Sequence, residues 1–171
     1  MTTRRLWLFV LVFGAPALGA QDAPRDTAST HDTSLWLSAT LGHATAEGRG
    51  LLGSQLALWY VRDRFAVTLR AADAGDLDVT DVGDLGILFG TRVKSPNTDW
   101  PLAMAIGAIG PTFVTESSTN RTHDTELGVG AIVEASFNFR YFGFGESAFG
   151  ATSGQHRFAG FGVTLQLGRI Q

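Results

Sequence analysis

His156 follows Ser153 by three residues, and Glu146 and Asp124 are acids that could complete a set with them. Nucleophilic catalysis needs a base within hydrogen-bond reach of the nucleophile and a third group that orients the base. These residues are the chain's nearest approach to that requirement. Ser153-Gly154-Gln155-His156 is equally an ordinary hairpin loop, and on that reading no catalytic residue is expected. A lipid-modifying enzyme would rest on His156 and its neighbours alone. His31 lies in a polar stretch with no second ligand at metal-binding spacing, and His43 and His123 fall near strand or loop ends, where solvation is their ordinary state. No metal and no cofactor is expected.

Three glycine pairs, Gly128/Gly130, Gly143/Gly145 and Gly160/Gly162, have a superficial likeness to nucleotide-binding loops. Phosphate binding through a G-x-G-x-x-G motif needs a strand, a turn and a helix N-terminus. Here the glycines recur at period two inside strands, where small size permits tight curvature.

The elements that position these residues are strands. From Leu127 to Arg140 the odd positions are Leu127, Val129, Ala131, Val133, Ala135, Phe137 and Phe139, against Gly128, Gly130, Ile132, Glu134, Ser136, Asn138 and Arg140. One greasy face and one small or polar face is the period-two signature of a strand. The segment Phe158 to Gly168 repeats it, and each run is long enough to cross a bilayer as a tilted strand, which takes about 9 to 11 residues. Six more segments read the same way: Leu35 to Ala44, Leu52 to Val61, Phe65 to Ala72, Val82 to Val93, Leu102 to about Val114, and Phe142 to about Thr152. Pro111 marks a bulge or a fraying end in the fifth. Glu47 to Gly50, Asp73 to Asp81, Glu116 to Thr125 and Ser153 to His156 connect them on one side; Arg62 to Arg64, Lys94 to Trp100 and Arg140-Tyr141 connect them on the other, the periplasmic one if both termini lie there.

Eight antiparallel strands can close on themselves and leave no unpaired backbone in lipid. The expected fold is therefore an all-β, eight-stranded, up-and-down transmembrane barrel over residues 34–171. Its greasy face meets lipid, and Arg70, Asp84, Arg92 and Glu134 lie in the lumen as a structural polar network. Folding the third and fourth strands about Leu77 sets Arg70 opposite Asp84. So narrow a barrel is filled by its own side chains and has no open pore. Glu146 conflicts with this scheme, since alternation puts it beside Phe142 and Phe144 on the lipid face; a bulge, a bend or a membrane boundary would each resolve it. Trp59, Tyr60, Phe65, Trp100, Phe137, Phe139, Tyr141, Phe142 and Phe144 gather near the periplasmic turns as an interfacial aromatic girdle does.

Composition agrees with this class. The chain is 44% hydrophobic with 21 glycines, yet after its N-terminus no apolar run is long enough for a membrane helix, so the hydrophobicity is spread by alternation. Arg4 and Arg5, the apolar run Leu6 to Ala17, and Leu18-Gly19-Ala20 make residues 1–20 a cleavable signal peptide, and residues 21–33 are a flexible leader. Removing residues 1–20 takes away two Arg and moves the formal charge from −3 to −5. An acidic chain without a Lys/Arg cluster is no nucleic-acid binder, and without cysteine it has no disulfide or thiol chemistry.

Asp84 to Gly90, Gly128 to Ala135 and the closing Phe158 to Gly168 resemble small outer-membrane β-barrel proteins of diderm bacteria, of the eight-stranded OmpA/OmpX type. The resemblance covers Ser34 to the end and is one of pattern. It implies residence in the outer membrane, with lipid around the barrel, insertion by the barrel-assembly machinery that reads a C-terminal strand signal, and an extracellular partner met through the outward loops. It carries over no catalytic residue. The C-terminus departs from the pattern, ending Gly168-Arg169-Ile170-Gln171 where such strands end in an aromatic. The competing reading is a soluble secreted or periplasmic lipocalin-like barrel, greasy face inward, that binds a small apolar ligand.

Overall fold

The computed structural model describes residues 32–76, 79–94, 102–117 and 123–170. The proposed signal peptide, His31, Leu77 and Trp100 lie outside these residues. Eight strands follow in order: β1 (Thr33–Ala46), β2 (Arg49–Arg62), β3 (Phe65–Asp76), β4 (Val79–Lys94), β5 (Leu102–Ser117), β6 (His123–Phe139), β7 (Phe142–Thr152) and β8 (Arg157–Arg169). Each pairs antiparallel with its neighbours in sequence, and β1 pairs with β8, which closes the barrel. Among the described residues no helix is long and apolar enough to cross a membrane.

Following ladder partners once around shows how far the strands tilt. The path from Glu134 runs through Ser147, Gly162, Gly42, Gly53, Ala74, Val82 and Glu116 and returns to β6 at Asp124, ten residues from where it left. Such a stagger is what closing a sheet into a barrel requires.

Local sequence accounts for the connections. Glu47 and Gly48 take φ of 50° and 81°, the left-handed pair of a two-residue hairpin turn whose twist matches the strands on either side. Asp63, with φ 57°, serves the next hairpin, and Arg140-Tyr141 turns β6 into β7. The strands reach further into several connections than hydrophobic alternation suggests: β3 and β4 take up most of Asp73 to Asp81, and Glu116 and Asp124 are ladder partners rather than loop residues. Backbone pairing needs no apolar side chain, so polar residues extend the hairpins beyond the greasy band.

Pro111 produces neither a bulge nor a frayed end. It sits inside β5 opposite Val129, and the β4–β5 register is the same on both sides of it, though no rung is formed opposite Ile87 and Leu88. The one shift in the β3–β4 ladder is at Ala74/Gly75.

The two faces divide sharply. Leu41, Phe65, Phe161, Val163 and Leu167 are between 60% and 74% exposed on the outer wall, and every strand adds further exposed Leu, Ile, Val or Phe there. The greasy face points outward, opposite to what a lipocalin-like ligand binder requires. Inside, two apolar clusters cap a polar middle. At the end where the described chain begins and stops, the terminal end, Trp36, Trp59, Val61, Met104, Ile106 and Ile170 pack together. At the other, the far end, Ala44, Leu51, Val82, Val114, Phe149 and Phe158 do so.

Trp59 therefore leaves the expected girdle. It is 0% exposed and stacks on its ladder partner Trp36 inside the barrel, centroids 5.9 Å apart. Tyr60, Phe65, Phe137, Tyr141, Phe142 and Phe144 do face outward near the terminal end, and Phe139 stacks on Phe142 at 4.7 Å.

Candidate functional site

The even positions of β3, β4 and β6 carry Arg70, Asp84, Arg92 and Glu134 into the interior, where all four are buried. They form three separate groups. The first joins β3 and β4 to the opposite wall. Arg70 is ion-paired with Asp84, both side chains fully excluded from solvent. The Arg70 guanidinium also donates to the carbonyl of Ala131 and, at 3.1 Å, to that of Gly150, while Thr112 Oγ1 donates to Asp84 at 2.8 Å. Gly130 leaves the space: a Cβ there would lie 2.7 Å from the guanidinium. On the ladder Arg70 faces Gly86 and Asp84 faces Ala72. The pair is diagonal, because the rungs Gly75–Thr80 and Asp76–Val79 beside the turn and the register shift at Ala74/Gly75 together move β4 two residues from the register that folding about Leu77 assumes.

The second group surrounds Glu134. Its two oxygens accept from Ser38 Oγ at 2.6 Å and Gln166 Nε2 at 2.9 Å. No Lys or Arg among the described residues pairs with it. Neighbouring polar links, Gln55 to Ser147 at 3.3 Å and the Thr40–Thr164 hydroxyl pair, fill the same middle layer. The third group closes the terminal end. Arg92 donates to Ser34 Oγ at 3.0 Å, to the Asp63 carbonyl at 2.9 Å and to Asp32 at 3.0 Å, and Lys94 also pairs with Asp32. Sequence reasoning placed Asp32 in the leader and so did not see this anchor.

A second constellation stands at the far mouth. His156, in the β7–β8 loop, is only 6% exposed and neither ring nitrogen has a hydrogen-bond partner. Glu116 Oε2 lies 3.1 Å from Nδ1 without forming a hydrogen bond to it. Asp124 Oδ2 lies 3.8 Å from Nε2 on the other side. Glu47, from the β1–β2 turn, and Glu126 complete an acidic ring about this imidazole.

The arrangement does not assemble a serine nucleophile. Ser153 Oγ donates to the His156 carbonyl and accepts from its backbone N–H, 3.3 and 3.1 Å away, which is turn geometry and not contact with the ring. Glu146 is far from this mouth. It keeps strict alternation, points outward, and has Ala135 and Val163 as ladder partners. Neither a bulge nor a bend removes it from the outer wall.

Comparison with known proteins gives a fold. No family model matches the chain, and no curated protein matches it in sequence. It is similar in fold to Neisserial surface protein A. The crystal structure of that protein superposes with a TM-score of 0.54 at 9% identity, over 79% of this chain and 96% of that one. Ail, the attachment invasion locus protein of Yersinia pestis, gives 0.46 at 11% identity over 81% and 97% of the two chains. In complex with the heparin analogue sucrose octasulfate it gives 0.48 at 11%, over 82% and 99%. What the likeness to the Neisserial protein establishes is the closed eight-stranded barrel; the lumen groups and the acidic mouth are read from this chain's own residues.

Proposed function

We propose that the chain is an integral outer-membrane barrel of a diderm bacterium, exported with cleavage near Ala20, which conducts nothing and acts at the cell surface through structure or contact. One observation carries the reading: the barrel's outer wall is apolar while its lumen is filled from end to end. A monomeric soluble protein rarely exposes so large an apolar area, whereas a bilayer requires it. The Trp36–Trp59 plug, the polar middle and the Phe149–Phe158 cluster leave no aqueous path.

In this placement the terminal end is periplasmic and the acidic mouth faces outward. An extracellular partner would meet the rim formed by the far ends of β5 and β6 and the β7–β8 loop. Glu47, Glu116, Asp124 and Glu126 make that rim repel phosphate, which disfavours nucleic acid. Lipid surrounds the wall, and the assembly machinery would read β8, whose Leu165 and Leu167 face outward. No reaction is assigned, since the Ser153 hydroxyl is engaged in its own turn.

The test is fractionation of expressing cells, gel migration with and without boiling, and conductance in planar bilayers. An outer-membrane protein whose unheated form migrates differently and opens no channel is expected. Recovery in the soluble periplasm, or stepwise conductance, would overturn the reading.

A further inference from the structure

His156 is a buried imidazole aimed into carboxylates with both nitrogens unused, an arrangement a closed hairpin loop does not need. We propose that His156, Glu116 and Glu47 bind one divalent transition-metal ion, of the Zn²⁺ class, at the mouth of the barrel, with Asp124 orienting the ring. The ligand atoms of these three residues lie within 4.8 Å of one another. Zinc bonds to nitrogen and carboxylate oxygen are about 2.0 to 2.2 Å, which sets tetrahedral ligand atoms about 3.4 Å apart; Nδ1 and Glu116 Oε2 already stand 3.1 Å apart, and Glu47 on its exposed turn supplies the remaining approach.

The choice of atoms follows from the geometry. Nδ1 has no hydrogen-bond partner and Glu116 is the carboxylate beside it, 3.1 Å away, so Nδ1 is the nitrogen that meets the ion. Metal-bound histidines commonly give their other N–H to a carboxylate, which fixes tautomer and ring orientation. Asp124, 3.8 Å from Nε2, occupies that position. A second trio, Asp124, Glu126 and His156, is equally compact, but Glu126 already accepts from the Gln155 N–H at 3.1 Å. One imidazole with two carboxylates suits zinc and its first-row neighbours, whereas calcium takes oxygen ligands alone. Such an ion would tie the β1–β2 turn, the end of β5 and the β7–β8 loop together across the mouth. The inference rests on the barrel mouth and not on membrane residence, so a soluble location would leave it standing.

The experiment is calorimetric titration with Zn²⁺ of the full chain, purified in detergent and stripped with chelator. One tight ion per chain is expected. His156→Ala or His156→Gln should abolish it, Glu116→Gln and Glu47→Gln should each weaken it at least about tenfold, and Asp124→Asn should weaken it by about 10- to 100-fold. Glu126→Gln should leave it unchanged, and Ca²⁺ at equal concentration should not compete. Unheated gel mobility checks that each variant is folded, and visible Co²⁺ absorption present in the parent and absent without His156 is a second readout. No Zn²⁺ binding, equal binding without His156, displacement by Ca²⁺, or a loss produced by Glu126→Gln but not by Glu47→Gln would overturn the assignment.

Discussion

Arg70 and Asp84 meet across a diagonal of the β3–β4 ladder, two positions out of direct register, and neither side chain touches solvent. Removing two charges from water costs several kcal/mol apiece, which their attraction offsets only with good geometry and further hydrogen bonds. Here Thr112 and the carbonyls of Ala131 and Gly150 supply those bonds. Asp84→Asn leaves the guanidinium uncompensated, and the expected cost is about 3 to 5 kcal/mol in urea unfolding from lipid vesicles. The double change Arg70→Met with Asp84→Leu should recover most of it. A single variant no less stable than the double would mean that uncompensated charge is not the source of the loss.

Glu146 is the fifth of the eleven residues of β7 and points outward between Ala135 and Val163. A cation on the lipid face at mid-bilayer costs about 2 to 4 kcal/mol and a carboxylate less. Glu146→Leu should therefore stabilise the barrel, by up to about 2 kcal/mol, seen as a higher urea midpoint with unchanged slope. An unchanged or lower midpoint would show that position 146 does not lie within the hydrocarbon.

Val163, 65% exposed on β8 and directly opposite Glu146 on the β7–β8 ladder, is a second probe of the belt. Made together with Glu146→Leu, so that no carboxylate stands opposite the cation, Val163→Arg should cost about 2 to 4 kcal/mol in vesicles and slow insertion, while Val163→Leu in the same background should be near neutral. Equal behaviour of the two would contradict a lipid-facing wall.

Period two made the fold legible. Alternation in Leu127 to Arg140 and Phe158 to Gly168 gives strands, and eight such runs give a closed barrel. It could not show where pairing stops, since Asp73, Glu116 and Asp124 extend hairpins through backbone bonds to which their side chains contribute nothing. Nor did it show that the inward face changes character along its length. Trp36 and Trp59 share their parity with Ser38, Thr40 and Gln55, so the sequence groups them with a polar face, and only the ladder reveals a stacked plug. Arg70, Asp84, Arg92 and Glu134 were recognisable as inward residues by parity, but their separation into three groups depends on the stagger between strands. The mouth was the least legible part. His156, Glu116 and Glu47 are distant in sequence, and no spacing rule links residues brought together by closure of a barrel.

The filled lumen leads to a further prediction about its plugs. Trp36 and Trp59 are ladder partners stacked 5.9 Å apart at the terminal end, both within 1% of complete burial. Replacing a buried tryptophan by alanine costs about 3 to 5 kcal/mol, so Trp59→Ala should lower the urea midpoint markedly. Removing both rings should still open no channel. The middle remains occupied by Glu134 with Ser38 and Gln166 and by Gln55 with Ser147, and the far end by Phe149 against Phe158, centroids 6.4 Å apart. Conductance of the Trp36→Ala/Trp59→Ala protein in planar bilayers checks this. Stepwise currents from that variant alone would show that the tryptophan plug, and not the polar middle, is what closes the barrel.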